Sequence, residues 1–198
     1  MNKIIPIKKN HLKMAAKLHK SAFPGKLLSL FDQQLLEEVY RLLLDLPEIY
    51  LLGYFRKNKL IGIIVCTLNT SSSFKKLVLK AISNLHIVIQ LFRQIIIHPK
   101  IIFQTLSLLV YPSKNLLKEN LPEILVIAVD KKYRRQNIGY NLIKNVEKYL
   151  RNKQIFRYKV SVESTNHIGQ KFYQKMGFKQ RLIFSQFTRT WHVLVKKI

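Results

Sequence analysis

The hydrophobic positions change period twice along the chain. "IIPIKK" (4–9) opens it as a short strand. "HLKMAAKLHKSAF" then repeats at helical spacing, with Asn10 as its candidate N-cap, and "FPG" breaks it. A second helical run, "FDQQLLEEVYRLLLDL", takes Asp32 as its cap and ends at Pro47. "EIYLLGYFRKNKLIGIIVCTLNT" has two β-rich runs on either side of "RKNK", which predicts a hairpin turned at Asn58. "NTSSSFKK" (69–76) is the strongest local loop signal.

Residues 74–110 follow another rule. Val78, Ala81, Ile82, Leu85, Val88, Ile89, Phe92, Ile95 and Ile96 fall on one helical stripe. Pro99 starts a second helix, with Ile102, Phe103, Leu106 and Leu109 on its stripe. The other faces are only weakly polar, because Leu79, Ile87, Leu91 and Ile97 lie there. A helix this apolar needs cover on several sides. Core packing is the commonest cover; a dimer partner, a ligand pocket and an anionic membrane surface are the alternatives.

The C-terminal half alternates strand and helix. "EILVIAVD" reads as a strand, 137–151 as a helix, "IFRYKVSVE" as a strand and 166–176 as a helix. "GFKQRLIF" and "FTRTWHVLVKKI" follow as an antiparallel hairpin joined at "SQ". Such alternation predicts an α/β layer with helices on the sheet.

Composition narrows the class. A chain of 198 residues with 48% hydrophobic content can bury a real core, so 1–198 reads as one domain with 74–110 as a helical insertion. The single cysteine, Cys66, has no internal disulfide partner and sits in the apolar run "LIGIIVCTL", which favours packing over nucleophilic chemistry. Nothing reaches the ~18 uncharged residues of a membrane span, and the N-terminus lacks a signal-peptide core. A cytoplasmic location is the expectation. His98 and His167 stand singly, with no metal-ligand cluster around them.

The net charge of +25 favours an anionic partner, with genome-wide codon bias as an even rival. No acid occurs between Glu48 and Glu119, nor after Glu163. No interleaved aromatic and basic pattern suited to stacking bases is present, so nucleic acid is not the expected anion.

One corner carries candidate chemistry. "YRRQNIGYNLI" (133–143) follows directly on the strand "EILVIAVD". Backbone amides of Gln136, Asn137, Ile138, Gly139 and Tyr140 can converge on a phosphate at the start of a helix. Arg134 and Arg135 add charge. The pattern is neither a P-loop nor the dinucleotide fingerprint, and one glycine after a strand is weak alone.

A second motif changes that balance. Arg134-Arg135-Gln136-Asn137-Ile138-Gly139, followed by Asn166, Phe172-Tyr173 and Gly177-Phe178, resembles the two signatures of the GNAT superfamily of acetyl-CoA-dependent N-acyltransferases. The two blocks span roughly 122–180 in the family's order and spacing. Asn137 replaces the family's first glycine, and asparagine is the non-glycine residue that best tolerates a left-handed backbone there.

The resemblance implies a mixed sheet of about six to seven strands flanked by helices, with the helical insertion between the third and fourth strands. It implies acetyl transfer from acetyl-CoA, as cosubstrate, to a primary amine. The pyrophosphate would rest on the amides of Gln136 to Tyr140, with Arg134, Arg135 or Lys131 meeting phosphates from outside. The pantetheine arm would pair with the backbone of Ile127, Ala128 and Val129, and an amide near Ala128 would polarise the thioester carbonyl. Asn166 would support the cofactor or its loop.

Tyr173 takes the position of the family's general acid, against core packing as the bland role. Glu123 matches the catalytic glutamate of histone-type members, against a solvent-exposed strand-entry role, with Glu163 as runner-up base. The N-terminal half and the insertion resemble a subgroup from bacterial surface-polysaccharide loci, whose acceptor would be an amino sugar on a nucleotide or lipid carrier. The rival class is a basic module that binds acyl-CoA or anionic membrane without catalysis.

Overall fold

The computed structural model describes residues 2–97, 119–186 and 189–198. Seven strands form one mixed sheet in the order β1-β2-β3-β4-β5-β7-β6. They are β1 (Asn2–Pro6), β2 (Ile49–Arg56), β3 (Lys59–Thr67), β4 (Glu123–Val129), β5 (Arg157–Glu163), β6 (Lys179–Gln186) and β7 (Arg189–Lys197). The helices are α1 (Leu12–Ala22), α2 (Leu27–Leu30), α3 (Gln33–Leu44), α4 (Thr70–Ile82), α5 (Leu85–Ile97), α6 (Ile138–Asn152) and α7 (His167–Lys175).

Both faces of the sheet are covered. One core joins α1 and α3 to Ile63 and Val65 of β3 and Ala128 of β4. The other joins Leu142, Ile143, Val146 and Leu150 of α6 to Ile64, Ile124 and Tyr158. Cover on two sides makes β3 a continuous apolar run with almost every residue buried. The β2–β3 turn has both central residues left-handed, Lys57 at φ 47 and Asn58 at φ 61, as a two-residue type I′ turn requires. Gly62 lets α6 lie close on β3, since a Cβ there would meet Ile138 at 2.7 Å.

Local chemistry explains the helix starts. Asp32 caps α3 by accepting from the Leu35 amide at 2.8 Å. Asn10 does not cap α1. It lies within a 3-10 turn (Lys9–His11), and His11 takes the cap position without a side-chain bond.

"NTSSSFKK" is not a loop but the start of α4, with the Asn69 carboxamide accepting from the Ser72 amide at 3.0 Å. Asn, Ser and Thr favour caps and loops for the same reason, their short polar side chains bonding nearby backbone, so composition alone does not separate the two. "SQ" is not the final turn either: Ser185 and Gln186 extend β6, paired with Thr190 and Arg189.

The insertion between β3 and β4 departs most from expectation. The single stripe from Val78 to Ile96 is split between α4 and α5 at Ser83 and Asn84. On α5 it faces outward: Leu85 is 72% exposed, Phe92 67% and Ile96 70%. Ile87, Gln90 and Gln94 are buried instead. The helix expected from Pro99 and the candidate His98 lie outside the described residues.

Candidate active site between β4 and β5

β4 and β5 run parallel but pair only at Glu123–Lys159 and Ile124–Val160. Beyond those pairs they part. A bulge in β4 prepares the split, because Cys66 pairs Ile124 and Val65 pairs Val126, leaving Leu125 without a partner.

Ladder alternation decides which backbone groups face the gap. Asp130 N–H donates to the Ile61 carbonyl at 2.9 Å, which makes that pair hydrogen-bonded in the β3–β4 ladder. Ala128, two residues back and opposite Ile63, therefore turns its N–H and C=O to β3 as well. Ile127 and Val129, between these pairs, turn theirs away from β3. Arg134 Nε donates to the Val129 carbonyl at 3.3 Å. Of the expected pairing edge, Ile127 and Val129 face the gap, whereas the Ala128 amide is engaged with β3.

At the end of β4 the chain turns through a 3-10 turn (Lys131–Tyr133), capped by Asp130 accepting from the Lys132 amide at 3.0 Å. Arg135 (φ 63) and Asn137 (φ 57) are then both left-handed. Asn137 is the N-cap of α6, yet its side chain makes no cap bond. The first backbone bond of the helix is Asn141 N–H to Asn137 C=O at 2.9 Å. The amides of Asn137, Ile138, Gly139 and Tyr140 therefore have no intrahelical partner, at the positive end of a 15-residue helix. That is the chemistry of an anion cradle.

Gly139 serves packing. A Cβ there would stand 3.2 Å from Phe172 Cζ and 3.7 Å from Ile127 Cδ1. The start of α6, the open edge of β4 and the aromatic pair on α7 thus meet at one point. Tyr173 lies behind Phe172, with ring centroids 5.2 Å apart, and also 5.2 Å from Phe178. Burial pushes its hydroxyl well above the usual tyrosine range, and among the described residues that hydroxyl has no hydrogen-bond partner. Asn166 caps α7 through the Gly169 amide at 2.9 Å. His167 is exposed in the first turn of α7.

Glu123 is not a solvent-exposed strand-entry residue; it is 2% exposed. Its carboxylate accepts from Thr70 Oγ1 and Ser161 Oγ, each at 2.8 Å, and lies 3.4 Å from Lys159 Nζ. It thereby ties α4 to β4 and β5. Glu163 pairs with Lys26, at the entry to α2, and stands 3.9 Å from Arg189. Lys159, Ser161 and Glu163 share one face of β5, while Tyr158, Val160 and Val162 pack on the other. Of these, Lys159 and Ser161 were missed in the sequence, although strict alternation in "RYKVSVE" carries their signal. Cys66 is buried, and burial followed by the charge of Glu123 pushes its thiol up to about 12, which leaves it inert.

A second buried carboxylate, Glu147, went unread. It accepts from Tyr158 at 2.9 Å, Lys144 at 3.0 Å and Lys196 at 2.5 Å. Burial raises its pKa and these donors outweigh that, holding it below the usual range. It clamps α6 to β5 and β7, away from the gap.

Comparison with known proteins agrees with this architecture. The sequence model of the acetyltransferase (GNAT) family matches residues 12–178. No curated protein is similar enough in sequence to match. Among solved structures, the fold is similar to the ribosomal-protein-S18-alanine N-acetyltransferase of Escherichia coli (TM-score 0.63, 12% identity, covering 100% of this chain and 94% of that one). It is similar to the PaiA N-acetyltransferase of Thermoplasma acidophilum in complex with coenzyme A (0.59, 17% identity, 100% and 99% covered). It is also similar to Arabidopsis thaliana NAA60 in complex with a bisubstrate analogue (0.63, 16% identity, 100% and 98% covered). The chain belongs to the acetyltransferase (GNAT) family and is a GNAT-type acyltransferase.

Proposed function

We propose that the protein transfers an acetyl group from acetyl-CoA to a primary amine. The carrying observation is the continuity of two backbone surfaces: the edge of Ile127 and Val129, which no strand pairs and where only Arg134 meets the Val129 carbonyl, and the amides from Asn137 to Tyr140, which have no intrahelical partner. The first suits an extended amide-bearing arm, the second a pyrophosphate.

Bound acetyl-CoA supplies an activated thioester and a thiolate leaving group. The amides of Gln136, Asn137, Ile138, Gly139 and Tyr140 hold its phosphates, with Arg134 and Arg135 adding charge. Ile127 and Val129 orient the arm, and Asn166 keeps the start of α7 in place beside it. Tyr173, beside Phe172 on α7, carries a hydroxyl that is protonated at neutral pH, as a proton donor to a thiolate must be. Glu123, linked through Ser161 to the polar face of β5, takes up the proton from the amine.

For the acceptor, we favour an amino sugar carried on a phosphate-bearing nucleotide or lipid. The support is electrostatic. Lys26, Lys159 and Arg189 lie around the two carboxylates of this face, and the whole chain is cationic, which suits an anionic acceptor better than a polyamine. The test is an acceptor screen that reads free thiol release from acetyl-CoA across amino sugars, nucleotide-linked amino sugars, polyamines and peptides. Turnover confined to polyamines or peptides would overturn the acceptor assignment. No stabilisation by acetyl-CoA in a thermal shift would overturn the activity itself.

A further inference from the structure

Helix α5 carries apolar side chains on both faces. Its inward face packs Ile87, Leu91 and Ile95 on the core beside the buried Gln90 and Gln94, and its outward face still carries Leu85, Ile89, Phe92 and Ile96. The rotation is built in. Gln94 Nε2 donates to Asp32 Oδ2 at 2.9 Å, the carboxylate whose other oxygen caps α3. Gln90 bonds His86 at 2.9 Å one turn earlier. Turning the apolar stripe inward would break the Gln94–Asp32 bond and set apolar groups against the cap. An apolar stripe held outward by the Gln94–Asp32 bond marks a working surface.

Charge identifies the partner. Every charged side chain of α4 and α5 is a cation: Lys75, Lys76, Lys80 and Arg93. Arg93 borders the same concave surface as Ile89, Phe92 and Ile96. No acid occurs between Glu48 and Glu119. A second copy of the chain fits this surface poorly, because each copy carries +25. An anionic bilayer fits both features. Its headgroups meet Arg93, while Lys76 is held by Glu48, and its acyl boundary takes the isoleucines and Phe92. We propose that α5 docks the enzyme on the surface of an anionic lipid bilayer. Among the described residues, no helix is long and apolar enough to cross a membrane, so the contact is peripheral. It does not depend on catalysis, but it would bring the active site to acceptors carried on lipid.

The experiment uses the full chain and vesicles, without acetyl-CoA, so its outcome is independent of acetyl transfer. Flotation is compared on phosphatidylcholine vesicles and on vesicles that also contain phosphatidylglycerol. The expected result is binding to the anionic vesicles alone. The double substitution Phe92→Ser/Ile96→Ser should reduce it at least about tenfold.

A second readout guards against a folding defect. Phe92→Cys is labelled with an environment-sensitive dye, which the buried Cys66 leaves selective. The dye emission should shift to the blue on anionic vesicles. Absence of flotation, flotation undiminished by the double substitution, or a blue shift that follows protein concentration without vesicles would each overturn the proposal. The last of these would point to a second copy instead.

Discussion

Asn137 allows the sharpest test of the phosphate loop. It occupies the family's first glycine position with φ 57 and ψ 13, and its carboxamide makes no cap bond. The side chain therefore contributes little, and the backbone conformation is what matters. Asn137→Gly removes the residual left-handed cost of a non-glycine residue, which is below about 1–2 kcal/mol for asparagine. It also adds unfolded-chain entropy costing about 0.4–1 kcal/mol. The two terms nearly offset, so the melting temperature should move by no more than about 4 °C.

The amides of the loop keep their directions, so acetyl-CoA affinity should hold or tighten. Asn137→Val is the contrasting change. A β-branched residue at positive φ carries the full cost, about 1–2 kcal/mol, or forces the loop out of shape. If that strain falls on the bound loop, affinity drops roughly tenfold. Calorimetric titration with coenzyme A and acetyl-CoA measures both variants. Lost binding in Asn137→Gly, or unchanged binding and stability in Asn137→Val, would refute the link between this backbone geometry and the ligand.

Three further predictions follow from the same geometry. Tyr173→Phe removes a hydroxyl with no hydrogen-bond partner among the described residues, so folding should be little affected while turnover falls about 10²–10⁴-fold at constant acetyl-CoA affinity; unchanged turnover would remove the tyrosine from the acid role. Glu123→Gln keeps one acceptor oxygen for the Ser161 or Thr70 hydroxyl, puts an NH2 donor toward the other, and cannot take a proton, so the acidic limb of the pH–rate profile should flatten. An unaltered profile, with only stability lowered, would make Glu123 a structural tie.

His19 is buried against Tyr40 at 2.8 Å, and burial lowers its pKa to about 4. Folding thus favours its neutral form. That stability is present above the unfolded value of 6.5 and is lost as pH falls from there through about 4, by roughly 3 kcal/mol in total. His19→Phe should flatten the dependence of melting temperature on pH across that window, and an equally steep dependence would show that another group is responsible.

Much of the fold was legible in the chain because its rules are local. The hairpin at Asn58, the Asp32 cap and the strand–helix alternation after Glu123 each depend on neighbours within a few residues. The two motifs around Gly139 and Tyr173 were legible for the same reason, since a helix start and an aromatic pair on one helix are written in sequence order. Where one local signal served two structures, as with the hydroxyls after Asn69, the reading went the wrong way.

What the sequence determined by itself was therefore the family's architecture and the loop whose unpaired amides open α6. What only the tertiary structure decided were relations across the sheet. The Asp130–Ile61 bond decides that Ile127 and Val129, not Ala128, turn to the gap. Thr70 of α4 and Lys159 and Ser161 of β5 surround Glu123 from two elements far apart in the chain. The outward turn of α5 was hidden for the same reason. Periodicity shows that a helix has an apolar stripe, but which way it points is set by a partner such as Asp32, 62 residues away.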